Sequence, residues 1–510
     1  MGKTVGYIRK NKLIPMRVGE DYSELEPVYS DSIHGKYIIR HSLIMLLRFI
    51  VNSMFDESEL KVEHTVSGGL YCEIYSNVLI SSQDIENINK KLGQIIEKDE
   101  ELESRYKTRD ELMEIFADDK EKKNLMKYSN CEGAFYCNYH NIEDFFHTPL
   151  VASTGMLQGA YLKYYPPGII IYHDEKFEKE KQEKLFNIFL ESEKWAKILG
   201  WEKVDRLNKS TKSKDLNQLI HVAEALHEKK IVDIANLINE RRGELKLITI
   251  AGPSSSGKTT FLKRLAVQLR VLGISVMGVS LDDYFVDREK TPIDENGEPD
   301  FEAIESIDLE LFNSHVGDLI TGKEVHLPEF DFQTGKRKFK KKLAKIDKNT
   351  IIIIEGIHGL NERLTEGVPK SKKLKIYVSA LTQINLDHSH RISTTDNRLM
   401  RRIVRDYLFR NHSVDQTFEM WGSVRKGEER NIFPFQEEAD VMFNSSLLYE
   451  FSVLKNFAEP LLKGVEEDKP YYLNAQRLLF TLSFFNPITP EMIPRTSVVR
   501  EFIGGSSFDY

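Results

Sequence analysis

The stretch 245-LKLITIAGPSSSGKTTF-261 constrains this chain more than any other. An apolar, β-branched run ends at Gly252, and Gly257, Lys258 and Thr259 follow after a four-residue gap. That spacing makes a phosphate-binding loop, because the two glycines let the backbone curl and turn its N–H groups inward at a helix N-terminus. Lys258 is placed to reach the β- and γ-phosphates of a nucleotide, and Thr259 to offer its hydroxyl to Mg²⁺. The required context is present: a strand before the loop, and after it an amphipathic helix carrying Phe261, Leu262, Leu265 and Leu269. The expected nucleotide-binding residues are Gly252, Pro253, Ser254, Ser255, Ser256, Gly257, Lys258, Thr259 and Thr260. The loop does not say whether water, a macromolecule or a small alcohol receives the terminal phosphate.

Further strands are expected at 274-ISVMGVSLDD-283, 350-TIIIIEG-356, 374-LKIYVSA-380 and 439-ADVMFNS-445, with helical segments between them. This alternation predicts an α/β fold with a parallel sheet and helices on both faces. Ligands of such sheets bind outside the carboxyl ends of the strands. Asp282 and Glu355 end two of these strands, so both carboxylates are expected near the phosphates. One can hold Mg²⁺ and the other can take a proton from an attacking hydroxyl. The segment 398-RLMRRIVRDYLFR-410 carries five arginines and one acid. Guanidinium forks suit phosphates and keep their charge, so a mobile lid over the transferring group is expected here.

The chain has 510 residues, 41% hydrophobic and 29% charged, with a net charge of −8. This fits a multidomain globular protein and argues against bulk nucleic-acid binding. Three cysteines (Cys72, Cys131, Cys137) suggest a reducing compartment, and Cys131, Cys137 and His140 lack a second ligand pair for zinc. No secretory signal is read at the start, and Gly6 stands where myristoylation needs Ser or Thr. The longest apolar run, 42-SLIMLLRFIV-51, is too short to span a bilayer and contains Arg48. A cytoplasmic protein without a membrane partner is expected.

Residues 1–205 read as mixed α/β, with a helix over 38–55, a strand at 70–75, a charged helical stretch over 83–116 and a strand at 169–173. A polar segment follows at 206–218. Two short helices are then expected within 206–244, one carrying Leu216, Leu219, Ala223 and Leu226, the other Ile231, Ile234, Ala235 and Ile238. Helices are expected from 448 onward, ending in a Gly-rich tail at 503–510.

Taken together, 252-GPSSSGKTT-260, 280-SLDDYF-285, 328-PEFDF-332, 355-EG-356, 397-NRLMRRIVRD-406 and 439-ADV-441 resemble the uridine kinase and phosphoribulokinase family of P-loop kinases, in that family's order. The resemblance covers 245–447. It implies ATP and Mg²⁺ as cofactors and a nucleoside as substrate. It assigns Asp282 as general base, Thr259 and Glu355 as magnesium positions, and Lys258, Arg405 and Arg410 to the transferring phosphate. Arg402 and Glu305 are similar to residues beside the ribose. Uridine–cytidine members carry a tyrosine and a histidine that read the pyrimidine; here Phe330 and Gly335 stand in those places. Uridine or thymidine is the expected kind of acceptor.

Residues 35–205, through 34-HGKYIIRHSLIMLL-47 and 64-HTVSGGLYCEI-74, resemble the second additional domain of threonyl-tRNA synthetases, which edits mischarged tRNA. Residues 1–34 are similar to the small β-grasp-like segment before it. His41 matches the first editing histidine, but Met45 replaces the second and Phe146 the editing cysteine, so hydrolytic editing is not expected. The pairing looks like a bacterial group of long uridine-kinase-like nucleoside kinases, whose relatives often form homo-oligomers. The alternatives are a nucleotide-binding, RNA-associated regulatory protein, suggested by the front half and 336-KRKFKKKLAK-345, and a kinase of a non-nucleoside sugar. For the basic run, a solvated hairpin beside the substrate pocket is the plainer expectation.

Overall fold

The computed structural model describes residues 2–174, 182–293, 297, 299–300, 302–331 and 334–510. The chain begins with β1 (Thr4–Arg9), β2 (Lys12–Ile14) and β3 (Glu26–Tyr29), paired in the order β2-β1-β3. Ser32 then caps α1 (Ile33–Met54) by accepting from the Gly35 amide. After α1 come β4 (Glu59–Val66), β5 (Gly69–Tyr75), α2 (Ser82–Lys98), β6 (Glu103–Thr108), α3 (Arg109–Ile115), α4 (Lys120–Tyr128), β7 (Gly133–Tyr139), β8 (Ile142–Phe146), β9 (Ala160–Tyr165) and β10 (Gly168–His173). They build two antiparallel sheets, β4-β5-β10-β9 and β6-β7-β8, around α1. By length and composition α1 could cross a membrane, but 61% of its most apolar window is buried in the protein. Met45, Leu46, Leu47 and Ile50 are fully buried in the core of this half.

The stretch 83–116 is not one helix. A capping box at Ser81 and Asp84 starts α2, and Asp99 in a left-handed conformation ends it. The charged segment beyond pairs with β7 as the edge strand β6. An edge strand tolerates exposed charge and is protected by it, which is why its polarity reads as a solvated helix.

Next come α5 (Glu183–Leu199), α6 (Val204–Ser210) and α7 (Leu216–Glu240). The two short helices expected across 216–238 are one helix of 25 residues. Its apolar face shifts because it serves two cores. Leu216, Ile220 and Ala223 pack with the C-terminal helices, whereas Ile231, Ile234, Ala235 and Ile238 pack with the parallel sheet. No glycine or proline lies between them to break the rod.

The remainder contains β11 (Leu247–Ala251), α8 (Lys258–Val271), β12 (Ser275–Ser280), α9 (Leu309–Ile320), β13 (Val325–Asp331), β14 (Lys336–Ala344), β15 (Thr350–Glu355), β16 (Lys373–Ser379), α10 (Thr394–Arg410), α11 (Val414–Asn431), β17 (Val441–Asn444), α12 (Glu450–Lys463), α13 (Tyr472–Ser483) and α14 (Arg500–Ile503). The five expected strands form one sheet, β12-β15-β11-β16-β17, with every pair parallel. Alternate residues of β11 and β15 feed its two faces. Ile248, Ile250, Ile351 and Ile353 meet α7 and α8, while Leu247, Ile352 and Ile354 meet α9. The run 336–344 is the outer strand of the β13–β14 hairpin.

The loop between β16 and α10 docks on the N-terminal half. The Val62 amide donates to the His388 carbonyl at 2.8 Å, and the Asn385 side-chain amide donates to the Val62 carbonyl at 3.2 Å. Beneath this seam Asp144 is fully buried between Lys122 and Arg48, and the His390 ring bonds Asp387 at 2.6 Å.

Several histidines are buried as neutral rings. Burial lowers His41 well below its ordinary value, His227 to about 3 and His358 to about 4. A ring whose folded pKa lies below its unfolded value stabilises the fold fully above about pH 6.5 and loses that contribution as pH falls toward the folded value. His390 opposes this: burial works against its charge, but Asp387 and Asp144 raise it. The net expectation is a falling urea midpoint between pH 6.5 and 4. A His227→Gln variant should show a shallower fall over that window than the parent.

Candidate active site

The loop between β11 and α8 owes its shape to backbone freedom and close approach. A Cβ on Gly252 would lie 1.9 Å from the Val378 carbonyl oxygen, so only glycine fits there. Gly257 has φ +81° and Ser255 φ +58°, the left-handed turns that aim successive amides into a cradle. Lys258 Nζ folds back onto the carbonyls of Gly252 (2.9 Å) and Pro253 (3.3 Å). Burial lowers its pKa, although Glu355 and Glu501 pull the other way.

Thr259 Oγ1 donates to both carboxylate oxygens of Glu355, at 3.0 and 3.3 Å. Asp282, on the turn after β12, stands near enough to raise the Glu355 pKa, behind the larger effect of burial. Burial first, and then Asp283, raises Asp282 itself, while Lys258 pulls it down. Thr259, Glu355 and Asp282 thus offer a hydroxyl and two carboxylates at the mouth of the phosphate cradle. All-oxygen donors of this kind suit Mg²⁺.

The arginines of α10 divide their work. Arg398 donates to the Ser254 carbonyl at 2.9 Å and pairs with Glu428, itself only 2% exposed. Arg401 donates to the Ser255 carbonyl at 3.3 Å and pairs with the fully buried Glu450. These two hold the loop from behind and are not available to a ligand. Arg402 donates to Ser254 Oγ at 2.9 Å and pairs with Asp406 at 3.1 Å. Arg405 and Arg410 gather around Asp406 at 2.8 and 3.5 Å, with Arg410 half exposed.

Phe285 and Phe330 lie beside the turn that carries Asp282 and Asp283. Phe330 is buried and meets Phe285 edge-on at 5.6 Å. Its amide donates to Asp283 at 3.4 Å. Gly335 has φ +67°, and a Cβ there would press on the Arg288 side chain at 2.9 Å. Phe332 lies outside the described residues. Glu305 sits at the surface, paired with Arg363 at 2.8 Å. A second carboxylate, which the sequence reading passed over, is turned inward: Glu302. Burial, then Glu428 and Asp300, push its pKa up to about 7, while Arg402 and Lys258 pull it down. The only hint in the sequence was the acid-rich run 300-DFEAIE-305.

Residues 247–448 match the phosphoribulokinase/uridine kinase family. The C-terminal half carries a domain of that family. A uridine kinase of Halobacterium salinarum is 26% identical over 196 residues, covering 38% of this chain and 78% of that protein. One of Brevibacillus brevis is 29% identical over 201 residues, covering 39% and 85%. One of Mycoplasma genitalium is 29% identical over 178 residues, covering 35% and 74%. With this match and the loop geometry, the protein is a kinase, a nucleotide-binding phosphotransferase with an alcohol acceptor.

The glycines of this half offer a direct check on the loop. Gly252→Ala should cost about 2 kcal/mol or more of stability through overpacking and abolish nucleotide binding. Gly278→Ala, on β12, where an added Cβ meets nothing within 4 Å, should change the unfolding free energy, read by denaturant titration, by no more than about 0.5 kcal/mol.

Proposed function

We propose that the protein transfers the γ-phosphate of ATP to the 5′-hydroxyl of a nucleoside, with a pyrimidine such as uridine or thymidine as acceptor. The observation that carries this reading is the convergence of Lys258, Thr259, Glu355 and Asp282 on one side of the loop, next to an aromatic wall. Thr259 and Glu355 would hold Mg²⁺, which supplies charge neutralisation on the phosphates when bound. Lys258 exchanges the carbonyls of Gly252 and Pro253 for phosphate oxygens. Asp282 accepts the proton of the acceptor hydroxyl, and its desolvation makes it the stronger base. Arg405 and Arg410 face the transferring group, with Asp406 holding them in register.

On the acceptor side, Phe330 stacks on the base. The Phe330 ring has no polar group and Gly335 has no side chain, so this wall tolerates more than one pyrimidine. Glu302, near Arg402, takes the ribose hydroxyls; Glu305, tied to Arg363, is the second candidate. The lysines of the run 336–345 do not favour the RNA reading, since several are matched by their own domain: Lys338 with Asp331, Lys340 with Asp283, Lys345 with Glu324. Nor does the N-terminal half favour hydrolysis. His41 bonds Thr148 at 2.7 Å and stacks on Phe146 at 4.2 Å, beside the fully buried Met45. A scaffold role for this half is the reading these contacts support.

The decisive experiment incubates the full chain with ATP, Mg²⁺ and a panel of nucleosides and sugar phosphates. Uridine or thymidine should consume ATP well above background; phosphorylation of a sugar phosphate alone would overturn the proposal. Asp282→Asn should keep ATP binding and lose about 10²–10⁴-fold in turnover. Glu302→Gln should raise KM for the nucleoside roughly tenfold or more with a smaller change in kcat. If Glu305→Gln does so instead, the ribose assignment moves to Glu305.

A further inference from the structure

The C-terminal segment ends on the phosphate loop, 241 residues from the part it touches. Thr260, the second threonine of 257-GKTT-260, is fully buried, and its amide donates to Glu501 Oε2 at 3.1 Å. Its hydroxyl donates to the same oxygen at 2.6 Å and lies 2.9 Å from the Tyr510 hydroxyl. In a loop of this kind the amides at the start of the helix are the donors that take nucleotide phosphates. Here one of them already carries an anion.

The segment is built to hold that anion in place. Val498 and Val499 are buried in the core, and a Cβ on Gly257 would meet Val498 at 2.5 Å. Phe502 is fully buried, with the Arg401 guanidinium 4.9 Å from its ring. Arg500 donates to the carbonyls of Pro490 (2.6 Å) and Ile493 (2.7 Å). Gly504 and Gly505, with φ +85° and +71°, turn the chain so that Tyr510 returns to Thr260. The backbone is anchored on both sides of Glu501, so only its side chain needs to move.

We propose that Glu501 is an internal competitor for the donor nucleotide: its carboxylate occupies the Thr260 donors that a nucleotide phosphate requires, and the C-terminal segment thereby sets the donor affinity. Two anions cannot share one amide and one hydroxyl, so each binding event must first displace the carboxylate. The proposal rests on the reading that ATP binds at this loop, but not on which acceptor is used.

The test is ATP binding by calorimetry to the full chain and to Glu501→Ala and Glu501→Gln. Glu501→Ala should tighten ATP binding roughly tenfold, the worth of a charge-assisted hydrogen bond that no longer has to be broken. Glu501→Gln keeps an acceptor but no charge, and should tighten binding to a smaller extent. Without nucleotide both variants should melt lower than the parent, since Thr260 loses a strong acceptor. A residue with only a structural role would instead weaken binding in step with the lost stability, and unchanged or weaker ATP binding in both variants overturns the proposal. If Glu501→Ala fails to fold, Glu501→Gln decides alone. Tighter ATP binding with no nucleoside consumed would leave this inference standing and remove the proposed acceptor; unaltered binding with active transfer would do the reverse.

Discussion

The buried pair of Arg401 and Glu450 holds the catalytic half together. Neither side chain is exposed to solvent. Burying two charges is costly, and breaking such a pair by removing one partner typically costs about 3–5 kcal/mol. What the structure gains is a fixed point. From it Arg401 reaches the Ser255 carbonyl of the loop, the Ser445 carbonyl past β17 and the ring of Phe502. Glu450 also accepts from Asn397 on the same helix as Arg401. Loop, sheet edge, arginine helix and C-terminus are therefore positioned by one ion pair, and Arg398 with Glu428 repeats the device one turn earlier.

The arginine helix thus divides in two. Its first two turns are tied to the loop and to buried glutamates through Arg398 and Arg401, whereas Arg402, Arg405 and Arg410 gather on Asp406. Charge density in the sequence did not separate the two roles. Arg398 and Arg410 look alike as letters, and what distinguishes them is Glu428 and Glu450, which lie 30 and 49 positions beyond Arg398 and Arg401.

The five sheet strands and the loop were legible because their signal is local: a β-branched run, two glycines at fixed spacing, a carboxylate at a strand end. Asp282, Lys258, Thr259 and Glu355 come together at one place for the same reason, since strand ends of a parallel sheet share one edge. The failures were also physical. Strand β6 read as helix because an edge strand can be as charged as a helix face, and α7 read as two helices because its apolar stripe changes partner midway. Glu302 gave only the weak signal of an acid-rich run, and Glu501 gave none. Their inward placement depends on α11 packing over the first and on Thr260 lying under the second, contacts that join distant segments.

The single rod of α7 has a mechanical meaning. Its first half is set into the core shared with α12 and α13, its second half into the core under the parallel sheet. A helix embedded at both ends acts as a beam and not as a hinge, so the two cores cannot swing about it as independent bodies. The N-terminal half meets this body through fixed contacts, at the seam of 385–391 and through Tyr37, whose hydroxyl donates to Asp396 in the first turn of α10 at 3.2 Å, and not through a joint.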